Sequence, residues 1–201
     1  MKRLAIVSGI LALAAPLAMA QYSTWNSDPA HSEVDFSIKH GGVSNVHGRF
    51  GKVQATLVYN EADISKATVT ATIDTTTVDT GESPRDNHLK TDAFFDVAKF
   101  PTATFTSTSV VRNGNNLTVT GNFTLHGVTK PIVLDVEGPS TPQENGMDKK
   151  LHSGFTATTT LNRLDYGIGS GFPTALVGNE VKLTIELEII KQDAAPGAPA
   201  K

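Results

Sequence analysis

Over most of its length the chain alternates apolar and polar residues two by two, and no other feature limits its fold as strongly. Successive side chains of an extended strand point to opposite faces, so this period marks strands with one buried face. Val34, Phe36, Ile38 and His40 share one face; Glu33, Asp35, Ser37 and Lys39 share the other. Gly41-Gly42 ends that run. A second run covers Val46 to Tyr59, and its apolar phase shifts across Gly51 as it would at a β-bulge. In the third, Ala67, Val69, Ala71 and Ile73 alternate with threonines and Asp74. The later runs place inward Ala103, Phe105 and Ser107; then Leu117, Val119, Gly121, Phe123 and Leu125; then Ile132, Leu134 and Val136. The last two carry Phe155, Ala157, Thr159 and Leu161, and every second residue from Val181 to Ile189. Asn113-Gly114-Asn115-Asn116 is a hairpin signal. This pattern predicts an all-β fold of eight antiparallel strands with no repeat and no long helix. Small inner residues recur among large ones. They favour a closed barrel over a sandwich, since an eight-stranded barrel can leave room for one ligand.

One stretch breaks the alternation. From Ser83-Pro84-Arg85-Asp86-Asn87-His88 charges crowd together; Phe94-Phe95-Asp96 and Phe100-Pro101 follow. The expectation is a short helix/loop insertion at residues 84–98 that crosses or plugs one end of the barrel. Arg85 has the planar fork that matches a phosphate or carboxylate, and Asn87 or His88 can add a hydrogen bond. Equally, Arg85 and Asp86 can pair with the loop or rim and only hold its shape. Phe94, Phe95 and Phe100, with inward Phe36, Ile38, Phe105, Phe123 and Leu125, are candidates to line a chain-binding tunnel. An ordinary core is the alternative.

Residues 1–20 read as a signal peptide: Lys2-Arg3, an apolar run from Leu4 to Leu17, then Ala18-Met19-Ala20 as the cleavage pattern. Residues 21–191 then form the barrel domain, and the Ala/Pro/Gly-rich residues 192–201 a disordered tail. Removing Lys2 and Arg3 from 17 basic residues against 20 acidic ones leaves a net charge of −5. That argues against nucleic acid as a partner. The absence of cysteine excludes thiol enzymes, thiolate metal sites and disulfides. No segment after residue 20 is apolar enough to cross a membrane. The six histidines show neither HxH nor HExxH spacing, so no metal site is expected, and His40 is expected as a buried, hydrogen-bonded core residue. There is no G-x-S-x-G elbow, and Asp92 and Asp96 suit turn caps better than acid–base chemistry. No catalytic residue is assigned, and the chain is not expected to be an enzyme.

An ordered set of motifs resembles the YceI-like family. It comprises Trp25, Asp28-Pro29-Ala30-His31-Ser32, Phe36-Ser37-Ile38-Lys39-His40 and Gly48-Arg49-Phe50. Arg85-Asp86-Asn87-His88-Leu89, Phe94-Phe95-Asp96 and Phe100-Pro101 follow. Gly121 to Lys130, Arg163 with Asp165-Tyr166-Gly167, and Val177 to Val181 complete it. Pro84 departs from the pattern, where a polar residue is more usual. The resemblance implies a lipocalin-like barrel in the periplasm that carries or sequesters a long-chain amphiphile: a polyisoprenoid, quinone or acyl lipid. On that reading the ligand-binding candidates are Phe36, Ile38, His40, Arg85, Asn87, His88, Phe94, Phe95, Phe100, Phe105, Phe123 and Leu125. The lipid is the ligand, and no other cofactor is expected. Two alternatives stay open: a redox- or stress-linked protein presenting a quinone or haem-like group, and an enzyme acting on the lipid head group. Homodimerisation also stays open.

Overall fold

Strands with one apolar face can bury it by curling the sheet until its two edges meet, and this chain does so. The computed structural model describes residues 22–60 and 62–193; the expected signal peptide and tail residues 194–201 lie outside them. The strands are β1 (Ser23–His40), β2 (Ser44–Phe50), β3 (Val53–Asn60), β4 (Asp63–Asp74), β5 (Thr102–Asn113) and β6 (Asn116–Leu125). They continue with β7 (Val128–Glu137), the two-residue β8 (Gln143–Glu144), β9 (Leu151–Asn162) and β10 (Val177–Lys191). One helix, α1 (Ser83–Leu89), lies between β4 and β5. The wall runs β1-β3-β4-β5-β6-β7-β9-β10, and β10 pairs back onto β1 from Trp25–Lys191 to His40–Val177. β2 covers the other half of β1 beside β3, so the barrel has eight wall positions, all antiparallel. Closure removes the open edges that would template aggregation. Among the described residues no helix is long and apolar enough to cross a membrane.

Three local readings change. The run Val46–Tyr59 is two strands, not one bulged strand: it breaks at Gly51-Lys52, where Lys52 has φ 54°. β2 pairs with residues 34–40 of β1 and β3 with residues 23–26, so the break lets one chain segment follow the bending wall. β1 starts at Ser23, well before His31. Its early alternation is hidden because residues 28–31 form a bulge between the Ser27–Ile189 and Ser32–Leu187 pairs. The small inner residues do not all make ligand space. A Cβ on Gly48 would lie 2.3 Å from the Phe36 ring, so that ring already fills the room.

A buried aromatic pair packs the end of the barrel near Trp25. Trp25 is fully buried and stacks on Tyr59 at 5.7 Å, with Lys191 Nζ 5.7 Å from the indole centroid. At the opposite end lie the Gly41–Val43 turn and the segment from Thr75 to Pro101, as the break in alternation predicts. The insertion is a short helix followed by loop, as expected: α1 ends at Leu89, and turns carry the chain from there to β5.

Candidate functional site at the barrel mouth

The inward faces of β1, β5, β6 and β10 leave a cavity of about 300 Å³ beneath α1. A second, wholly apolar cavity of about 100 Å³ lies farther along the barrel. Val34, Ile73, Phe123 and Leu183 border both, so these four side chains form the partition between them. The upper cavity is at the small end of the usual range for ligand pockets, roughly 300–1,000 Å³.

Aromatic side chains roof it. Phe94 stacks on Phe172 at 4.8 Å, and His88 sits edge-on to both, at 5.0 and 5.7 Å. A second line of rings runs Phe36–Phe50–Phe95, with spacings of 5.5 and 5.4 Å. Edge-to-face and offset stacks of this kind hold ring positions beyond what area burial alone supplies.

Arg85 and Asp86 both grip Thr80. The Arg85 Nε donates to Thr80 Oγ1 at 2.7 Å and an Nη donates to the Thr80 carbonyl at 3.0 Å. Asp86 Oδ1 accepts from the Thr80 N–H at 2.9 Å and from its hydroxyl at 2.5 Å. The pair therefore fixes the turn before α1. Arg85 also borders the cavity, and its Nη1 has no hydrogen-bond partner among the described residues.

Arg163, only 4 % exposed, is the most constrained side chain at the mouth. It sits in a short 3₁₀ turn, Arg163–Tyr166, after β9. All five of its N–H groups donate to backbone carbonyls: Nε to Gly178, Nη1 to Ile168 and Gly169, Nη2 to Phe172 and Val177. These bonds hold the loop that delivers Phe172 and Leu176 to the cavity. Burial pushes the guanidinium below its usual range, and no carboxylate among the described residues pairs with it. Burial also raises the Tyr166 phenol, with a smaller push from Asp165. Lys39, His40, Arg85, His88 and Arg163 border the cavity, and among the described residues no Asp or Glu does.

Most of the expected lining residues do meet there. Phe36, Ile38, Phe94, Phe95 and Leu125 border the upper cavity; Phe123 borders both, and Phe105 only the lower one. His40 is exposed at the rim rather than buried, because β1 ends there in the Gly41-Gly42 turn. Asn87 is exposed on α1 and does not border the cavity. Phe100 also lies outside it: its ring packs 4.7 Å from His126 and over Gly127, whose Cβ would come within 2.7 Å. It stabilises the β6–β7 turn, where His126 and Gly127 both have positive φ. Sequence reasoning missed Phe172, Tyr166 and the role of Arg163. The segment 163–176 has no alternation to place it, and arginine is ordinarily a surface residue.

A model of the YceI-like domain matches residues 25–189. The chain belongs to the YceI-like family. It is 36 % identical over 188 residues to a UPF0312 protein of Pseudomonas paraeruginosa, covering 94 % of this chain and 96 % of that one. Among solved structures it resembles BcnA of Burkholderia cenocepacia (TM-score 0.71, 24 % identity), over 81 % of this chain and 98 % of that one. It also resembles a polyisoprenoid-binding domain from Saccharophagus degradans (TM-score 0.61, 18 % identity), over 86 % of this chain and all of that domain. At these identities the two structures support the barrel fold.

Proposed function

We propose that this YceI-like barrel is an exported carrier for a long-chain amphiphile, a polyisoprenoid, quinone or acyl lipid, whose tail lies in the cavity and whose head group stays at the mouth. The observation that carries this reading is the contrast within one cavity: apolar walls below, and donors and cations without a carboxylate at the rim. Each buried methylene contributes about 0.8 kcal/mol, so ten would supply about 8 kcal/mol, the scale of micromolar binding. The tail supplies most of the affinity, and Arg85 and His88 select a head group that accepts hydrogen bonds. The polyisoprenoid-binding domain with the same fold supports this ligand class. The first twenty residues support export to the periplasm. A carrier role is favoured over catalysis because neither hydroxyl bordering the mouth among the described residues is set up as a nucleophile: Thr75 donates to the Phe100 carbonyl, and burial holds the Tyr166 phenol in its protonated form.

The test is native mass spectrometry of protein purified from a bacterial periplasm, followed by organic extraction. A stoichiometric adduct that extracts as an isoprenoid, quinone or acyl lipid is the expected result. A clean apo mass that stays unchanged after incubation with such lipids overturns the carrier reading.

A further inference from the structure

A polar cluster stands on the outer wall, away from the mouth and independent of the lipid reading. It is built by the bulge in β1. Asp28 Oδ1 accepts from the Ala30 N–H at 2.9 Å, which closes a tight turn and aims Oδ2 at His31. The His31 Nδ1 lies 2.8 Å from Asp28 Oδ2 and 3.7 Å from Glu188 Oε2 on the neighbouring β10. One donor atom from each of the three residues lies within 4.8 Å of the others. The second Glu188 oxygen is 2.6 Å from His152 Nδ1 on β9, and His152 Nε2 is 3.0 Å from Asp148 Oδ2. Among the described residues no lysine or arginine ion-pairs with Asp28 or Glu188.

We propose that Asp28, His31 and Glu188 bind a divalent transition-metal ion of the zinc class. Zinc–ligand bonds of about 2.0–2.2 Å in a tetrahedron set neighbouring donors roughly 3.3–3.5 Å apart. The two His31–carboxylate separations, 2.8 and 3.7 Å, bracket that spacing, and the Asp28 and Glu188 oxygens lie within 4.8 Å of each other, so side-chain adjustments convert the hydrogen-bonded cluster into a coordination shell. One imidazole with two carboxylates suits zinc, nickel or copper rather than calcium or magnesium, which prefer all-oxygen shells. His152 takes the supporting role: it holds Glu188 by the oxygen left free, as outer partners orient metal-ligating carboxylates. The fourth position faces water, since the His31 side chain is 64 % exposed, so an ion can enter without opening the barrel.

The experiment is calorimetric titration of zinc chloride into tag-free, chelator-treated protein, with magnesium chloride in parallel. One zinc per chain is expected, with no magnesium binding. His31→Ala and Glu188→Gln should each weaken binding at least tenfold, and His152→Ala by about 10–100-fold. His47→Ala, on exposed β2 outside the cluster, should leave it unchanged. Zinc should raise the melting temperature of the native protein and not of Glu188→Gln, which separates loss of the site from loss of the fold. Absence of saturable zinc binding, or binding that survives both His31→Ala and Glu188→Gln, overturns the assignment.

Discussion

The Phe105 ring occupies the space that a side chain on Gly121 would need: a Cβ placed there would lie 2.3 Å from the ring's Cζ. The two residues face each other diagonally across the β5–β6 ladder, where Phe105 pairs with Phe123 and Ser107 with Gly121. Gly121→Ala forces the ring toward the lower cavity or distorts the ladder. The expected cost is about 1–3 kcal/mol, typical of overpacking. Urea unfolding checks it; an unchanged midpoint would show that the ring can move freely.

Arg163→Lys should destabilise the protein by at least about 3 kcal/mol, although charge is kept. An ammonium cannot reach the five carbonyls that the guanidinium satisfies, and each buried carbonyl left without a donor costs about 1–3 kcal/mol. Amide exchange should quicken first across residues 168–177. Uniform protection with an unaltered urea midpoint would refute the clamp.

Phe123→Ala removes part of the partition between the two cavities. The ligand-free protein should lose about 3–5 kcal/mol, as large-to-small core changes do. Lipid affinity should shift toward longer tails, measured by competition between chains of different length. Retention of the native chain-length preference would mean that the lower cavity is not part of the binding path.

Arg85→Gln and Asp86→Asn separate head-group contact from loop support. Both loosen Thr80, but only the first removes the cation beside the cavity. If Arg85 meets the head group, Arg85→Gln should weaken binding of an anionic lipid about tenfold more than Asp86→Asn. Equal losses in the two variants would assign both residues to the loop alone.

Alkaline stability should report on Tyr166. Burial raises its phenol above the ordinary tyrosine value of about 10, so the folded form holds its proton more tightly than the unfolded one. That stabilisation is fully present below about pH 10 and is lost as pH rises through the raised value. Tyr166→Phe should therefore move the alkaline unfolding midpoint upward, as followed by circular dichroism. An identical midpoint would show that this phenol does not drive the transition.

Alternation along the sequence already favoured a barrel. Period-two alternation is local, and burying one face of long antiparallel strands leaves few solutions, so the inward sets on β4 to β7, β9 and β10 were legible residue by residue. It also marked the end where α1 and Phe94-Phe95 roof the cavity, because alternation stops there. Tertiary structure decided what the non-alternating residues do. Arg163 becomes buried only because a loop of carbonyls closes around it, and Phe172 reaches the roof only through that loop. Phe100 turned out to belong to a turn, and Gly48 and Gly121 to make room for rings rather than ligand. The Asp28–His31–Glu188 cluster is the sharpest case. Glu188 is separated from Asp28 and His31 by most of the chain, and it meets them because barrel closure pairs the first strand with the last, a contact that no local pattern encodes.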